Sequence, residues 1–98
     1  MNKINDALMC DFYEFTMSNG YFKFGLKDRI CYFDVFFRSV PDGGGFALAC
    51  GLEQVIKYIQ ELHFSKDDIE YLRKKKIFSE EFLAYLLSFK FSGDIWAV

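Results

Sequence analysis

The sequence predicts an α+β domain: a small, mainly antiparallel sheet packed with a long N-terminal helix and about three further helices. Three observations carry that expectation. Apolar residues recur at helical spacing through the first quarter of the chain. Between Arg29 and Arg38 one parity is wholly apolar while the other mixes rings with charges, and helical spacing returns, punctuated by capping signals, from Leu52 to Leu87.

The first element runs from Ile4 to about Phe24. Leu8, Phe12 and Phe15 form one apolar stripe and Met9, Tyr13 and Met17 a second, leaving Asp11, Glu14 and Ser18 as a narrow polar face. A helix apolar on most sides is built to be covered from more than one direction. The stripe of Leu8, Phe12 and Phe15 is assigned to the domain's own core, and that of Met9, Tyr13 and Met17 to a partner surface. Gly25 supplies a stop. Arg29 to Arg38 then reads as a strand, with Cys31, Phe33, Val35 and Phe37 on its core face and Ile30, Tyr32, Asp34, Phe36 and Arg38 on the other.

Pro41-Asp42-Gly43-Gly44-Gly45 is a loop whose glycines suit a tight turn better than a phosphate cradle, because no Lys-Ser/Thr ending follows. Phe46 to Gly51 fits a short strand or the entry to a helix. Leu52, Val55, Ile56 and Ile59 follow the i, i+3, i+4, i+7 rule. Ser65-Lys66-Asp67-Asp68 has capping-box form and opens a helix to about Lys75. Ser79-Glu80-Glu81 opens another, with Phe82, Leu83, Leu86 and Leu87 inward. Gly93 to Val98 reads as a strand, Asp94–Val98 joining Arg29–Arg38 in the sheet. An unfinished hydrophobic strand at the chain end leads us to expect the front piece of a larger protein. With no linker or repeat inside it, residues 1–98 are expected to be one domain.

Composition narrows the function. At 52% hydrophobic and 20% aromatic, the chain is too apolar for disorder. A net charge of −2 with dispersed Lys and Arg argues against a nucleic-acid partner, and the run Arg73-Lys74-Lys75-Lys76 suits a solvated helix end. Cys10, Cys31 and Cys50 lack metal-ligand spacing and read as free, mostly buried thiols; with His63 as the single His, a zinc site is not expected. No signal peptide and no bilayer-length apolar run is apparent, which points to the cytoplasm and to no membrane partner.

Few residues suggest chemistry by themselves. His63 lies between Leu62 and Phe64 and fits a packed or surface role. Asp11 and Glu14 share a helix face, where paired acid–base work and plain solvation are both open. Tyr13 lies on the apolar side of the same helix, where packing is the default. Arg38 ends a strand beside a glycine loop; it suits an anionic ligand, and a surface role is as consistent with the pattern.

Motif order goes further. Asp11-Phe12-Tyr13-Glu14-Phe15-Thr16-Met17 with Gly20-Tyr21-Phe22 resembles the opening block of nicotinate phosphoribosyltransferases. Phe33-Asp34-Val35-Phe36-Phe37-Arg38 with Pro41-Asp42-Gly43-Gly44-Gly45-Phe46-Ala47 resembles the next block, and Gly51-Leu52-Glu53 and Phe91 to Val98 resemble later ones. Cys10 departs from the family, which usually has a small hydroxylated residue before the Asp. The resemblance implies the front domain of a larger α/β-barrel enzyme whose barrel is absent here. That enzyme transfers a phosphoribosyl group from 5-phosphoribosyl 1-pyrophosphate to nicotinate, giving nicotinate mononucleotide in NAD salvage, with ATP hydrolysis coupled.

The same resemblance implies that Tyr13 stacks on the pyridine ring, that Arg38 holds phosphate or pyrophosphate, and that Asp11 shapes the pocket. It assigns no catalytic residue to these positions, and His63 does not match the family's phosphorylated His. It implies ATP and Mg for the full-length enzyme but no cofactor for these residues, and a homodimer with nicotinate and 5-phosphoribosyl 1-pyrophosphate as substrates. The isolated chain is expected to be inactive. Two alternatives stay open: nicotinamide phosphoribosyltransferase, and a stand-alone binding or regulatory module.

Overall fold

The computed structural model describes residues 6–97, and among them every regular element is helical. A 3-10 turn, Asp6–Leu8, precedes α1, Phe12–Lys23. A second 3-10 turn, Pro41–Gly43, stands alone in the long connection to α2, Leu52–Glu61. Helices α3, Lys66–Arg73, and α4, Glu80–Leu87, follow closely.

The expected α+β fold is therefore corrected: the described residues contain four α-helices and no sheet. Residues 29–37 run without regular structure, as do residues 89–97; Val98, the end of the expected second strand, lies outside the described residues. The reason is that a strand is a property of a pair. Alternation fixes which side chains share a face, but the ladder needs a second backbone alongside. Here the two segments do not pair. Both faces of the first are open: Ile30, Tyr32, Phe33, Val35 and Phe36 are each more than three-quarters exposed, and Cys31 and Phe37 are exposed too. The core face assigned to Cys31, Phe33, Val35 and Phe37 is not formed.

The helices fare differently because each closes its own backbone hydrogen bonds and needs only a cap and an apolar face. Ser65 Oγ accepts from the Asp68 N–H while the Ser65 N–H donates to Asp68 Oδ2, completing the expected capping box. Ser79 Oγ accepts from the Phe82 N–H at the start of α4. At the end of α1 the Leu26 N–H reaches Tyr21 O and the Gly25 N–H reaches Phe22 O, a Schellman motif. It requires Gly25 in the left-handed region, where its φ is 74°. The front of α1 is shorter than expected. Asp11, at φ −69° and ψ 143°, serves as its N-cap residue, so the helix starts there and not at Ile4, which itself lies outside the described residues.

The core sits where α4 meets α1 and α3. Phe82, Leu83 and Leu72 are almost fully buried, and Phe15, Phe64, Ile69 and Leu86 close around them. Aromatic rings run through it in an unbroken series of contacts: Phe12 to Phe78, Phe82, Phe22, Tyr85, Phe89, Phe64 and Phe15, with centroids 5.1–6.4 Å apart. Arg73 fastens α3 to α4 through a forked pair with Glu80, Nε–Oε1 at 3.0 Å and Nη2–Oε2 at 3.1 Å, and also pairs with Glu70. Helix α2 contributes no buried residue; Leu52, Val55 and Ile56 leave its apolar stripe open.

Two quantities measure how much of the surface is left uncovered. The accessible surface is 9072 Å², whereas a folded chain of 11.5 kDa is expected to expose about 5,800 Å². The radius of gyration is 15.9 Å, against about 12.6 Å for a compact domain of this length.

Candidate functional site

The two apolar stripes separate only in part: Phe12, assigned to the core, is 44% exposed, nearly as open as Met17, and Leu8 and Met9 lie ahead of α1. Phe15 is buried, Phe12 packs edge-on against Phe78, and Leu8 is partly covered by the core. Met9, Tyr13 and Met17 face outward, Tyr13 at 60% exposure. The Tyr13 ring is therefore a free platform and not a core side chain. Asp11, exposed at the N-terminal end of the same helix, makes no capping hydrogen bond, so its carboxylate stays open to solvent one residue before the helix begins.

Cys10 adjoins this end. It is free and exposed, as are Cys31 and Cys50, which corrects the expectation of mostly buried thiols. Local desolvation pushes the Cys10 thiol up to about 11, helped by a hydrogen bond to Glu14 and by the negative charges of Glu14 and Asp11.

Arg38 stands in the irregular stretch before the Pro41–Gly43 turn, exposed and, among the described residues, without an ion-pair partner. The turn reading of the glycines holds. Asp42 and Gly43 both adopt left-handed backbone, at φ 56° and 65°, and the Gly44 N–H closes onto Pro41 O at 3.0 Å. The structure does not bring Arg38 into contact with Tyr13 or Asp11. His63 is exposed, and its Nδ1–H donates to Glu61 O at 2.9 Å, consistent with the surface role.

Two surface grooves lie away from the candidate site residues. One, of about 550 Å³, lies between the end of α1 and residues 76–81; the other, of about 330 Å³, lies by His63 and Lys90. Both are open, and neither includes Tyr13, Asp11 or Arg38. The chemistry of an exposed ring, carboxylate and guanidinium weighs more than a shallow groove. Tyr13 and Asp11 share one end of α1, while Arg38 stands apart from them in the irregular stretch. The first groove did reveal a residue that sequence reasoning passed over. Asn19 lines it and accepts from the Ser79 N–H at 3.2 Å, sixty positions away. Its signal was there to read: Phe12, Phe15, Asn19 and Phe22 repeat at alternating steps of three and four, with one polar member.

The chain thus presents an outward aromatic on α1 and an exposed arginine ahead of a left-handed turn. Residues 8–98 match the family described as nicotinate phosphoribosyltransferase (NAPRTase) N-terminal domain, and the chain belongs to that family. It is 37% identical over 91 residues to nicotinate phosphoribosyltransferase pncB2 of Mycobacterium tuberculosis, covering 93% of this chain and 19% of that protein. It is 41% identical over 83 residues to the nicotinate phosphoribosyltransferase of Caenorhabditis elegans, covering 81% of this chain and 14% of that protein. With that of Bacillus subtilis it shares 31% over 77 residues, 79% of this chain and 16% of that protein. The chain thus spans less than a fifth of the length of these curated relatives. No helix among the described residues is long and apolar enough to cross a membrane.

Proposed function

We propose that this chain supplies the N-terminal domain of an enzyme that transfers a phosphoribosyl group from 5-phosphoribosyl 1-pyrophosphate to nicotinate, in the cytoplasm and within a homodimer. Tyr13 stacks on the pyridine ring, Arg38 holds phosphate or pyrophosphate, and Asp11 shapes the entrance. The observation that carries this reading is the outward Tyr13 ring in a chain of this family. A flat apolar face with a polar tip is a good platform for a charged heteroaromatic base. A ribosyl transfer builds negative charge on the departing pyrophosphate, so a cation fixed on that side lowers the barrier. The free guanidinium of Arg38 is available for that role. ATP and Mg enter this proposal through the rest of the enzyme.

The homodimer draws support from the uncovered surface. The excess of about 3,300 Å² over a compact chain is more than the roughly 1,000–2,500 Å² that each partner gives to a large, obligate interface, so it leaves area for a neighbouring subunit beside the rest of the enzyme. Binding groups that stand open and apart ask for the rest of the site to come from elsewhere, and a neighbouring subunit can provide it.

The test uses a full-length enzyme carrying this domain. Tyr13→Ala should raise the KM for nicotinate and leave the fold intact, and Arg38→Ala should weaken use of 5-phosphoribosyl 1-pyrophosphate. Heterodimers of Tyr13→Ala subunits with subunits defective only in the barrel should recover part of the activity, since one composite site stays whole. Heterodimers that recover nothing, or a Tyr13→Ala enzyme with unchanged nicotinate kinetics, would count against the assignment. The 98-residue chain alone should form no nicotinate mononucleotide, because one ring and one cation do not make the whole constellation.

A further inference from the structure

Helix α1 is a poor judge of its own orientation. Its inward stripe is Phe15, Asn19 and Phe22, flanked by the half-exposed Phe12, and its outward stripe is Tyr13, Met17 and Tyr21. Both are built from large apolar side chains, so burial of either would be comparably favourable. A rotation of about 100°, one residue's worth of helix, would carry Tyr13 into the core and Phe15 toward solvent. Yet Phe15 is 8% exposed and Tyr13 60% exposed. Hydrophobicity alone does not account for so definite a choice.

Asn19 breaks the tie. Its Oδ1 accepts from the Ser79 N–H at 3.2 Å and from the Ser79 hydroxyl at 3.5 Å. Ser79 is the N-cap residue of α4, and its Oγ in turn accepts from the Phe82 N–H at 3.2 Å. The N–H at a helix N-cap has no acceptor within its own helix, so in this partly buried seam it needs one from outside. Among the described residues, Asn19 is the one side chain of α1 that bonds Ser79. The Ser18 hydroxyl donates to Glu14 O at 2.6 Å and the Thr16 hydroxyl to Tyr13 O at 2.9 Å, both within the helix. A single polar residue in an otherwise apolar seam is a known means of fixing helix register.

We infer that Asn19 is a positioning residue: through Ser79 it fixes which face of α1 points outward, and so holds the Tyr13 ring outside the core. Its functional consequence rests on the stacking role proposed for Tyr13; the orientation itself does not.

The experiment is residue-level hydroxyl-radical footprinting by mass spectrometry on the 98-residue chain, with helix content followed by far-ultraviolet circular dichroism. In the parent chain Met9, Tyr13 and Met17 should label and Phe15 and Phe22 should be protected. Asn19→Asp keeps an oxygen acceptor and should keep that pattern. Asn19→Leu removes the acceptor but suits the apolar seam. It should keep its helix content while labelling of Phe15 and Phe22 rises several-fold and that of Tyr13 and Met17 falls. An unchanged pattern in Asn19→Leu would mean that packing alone sets the face and would overturn the inference. So would a scrambled pattern in Asn19→Asp, or loss of helix in Asn19→Leu, which would make Asn19 a residue of folding and not of orientation. Unaltered nicotinate kinetics in Tyr13→Ala would remove the functional consequence and leave the footprint result standing, so the two failures are told apart.

Discussion

Phe82 and Phe36 carry the same side chain in the same small chain, and one is 1% exposed while the other is 77% exposed. The difference runs along the whole molecule. Helices α1, α3 and α4 bury a ring-lined core, whereas from Leu26 to Cys50 large apolar residues stand open, broken only by a 3-10 turn. Apolarity does not separate the two regions. What separates them is where the backbone finds its hydrogen bonds. A helix satisfies its interior by itself and then needs one neighbour for its face; a strand satisfies nothing until a second strand arrives. The core region is therefore self-sufficient, and the open stretch is rich in unspent contact surface.

The most direct way to break that comparison is to truncate one ring from each region. Phe82→Ala should cost about 3–5 kcal/mol in urea unfolding, since it empties the centre of the core. Phe36→Ala should change stability by less than about 0.5 kcal/mol, as for surface changes generally. Equal losses would mean that the open stretch is packed in solution and that the division is wrong.

The same division marks what the sequence made legible. Capping residues Ser65 and Ser79 and the stop at Gly25 announced local hydrogen bonds, and those bonds formed where they were expected. Phe82, Leu83 and Leu86 were readable as a buried face because helical periodicity needs no knowledge of the partner, whereas Leu87, also expected inward, is exposed at the end of the helix. The apolar parity from Arg29 to Arg38 was as plain, but it encodes only half of an interaction, and no described segment supplies the other half. For the candidate site, the outward position of Tyr13 was legible from two stripes that one small core could not both absorb. Asn19 could be placed on the inward face by its three-four spacing, but its pairing with Ser79 could not, because sixty positions of separation hide that pairing from any local pattern. Nor did the sequence place Arg38 relative to Tyr13, which is a question of tertiary arrangement.

A second prediction sharpens the boundary between the regions by using thiols as reporters. Cys10 sits at the entrance to α1, where desolvation, Glu14 and Asp11 push its thiol from 9.0 to about 11. At pH 8 that change cuts the thiolate population about 100-fold relative to an unperturbed thiol. The more basic thiolate is intrinsically more nucleophilic, which returns part of the loss and leaves alkylation slower by about tenfold. Iodoacetamide labelling followed by peptide mass spectrometry should therefore find Cys10 modified last, after the exposed Cys31 and Cys50 of the open stretch. Glu14→Gln should speed Cys10 by removing both its hydrogen bond and its charge. Labelling of all three at one rate would show that the ordered region does not extend to the start of α1.

The smallest effect lies in the ion pair that joins α3 to α4. Arg73 holds the Glu80 carboxyl below its usual range, chiefly through the hydrogen bond between them, and Glu80 in turn raises the Arg73 guanidinium. The sign follows from the direction of each change. A carboxyl depressed in the folded state stabilises the protein above its unfolded value, about 4.5 here, and loses that contribution as pH falls through the folded value. The Arg73 contribution would fade only at strongly alkaline pH. Both groups lie at the surface, so the effect is small and screened by salt. Thermal unfolding followed between pH 6 and pH 3 should therefore show a slightly steeper acid loss for the parent chain than for Glu80→Gln, and the gap should narrow in high salt. The expected size is well below that of Phe82→Ala, because closing α3 on α4 depends on the buried contacts of Leu72, Phe82 and Leu83, which the pair only flanks. A Glu80→Gln loss as large as that of Phe82→Ala would reverse this order and make a surface charge, not burial, the reason the core region closes by itself.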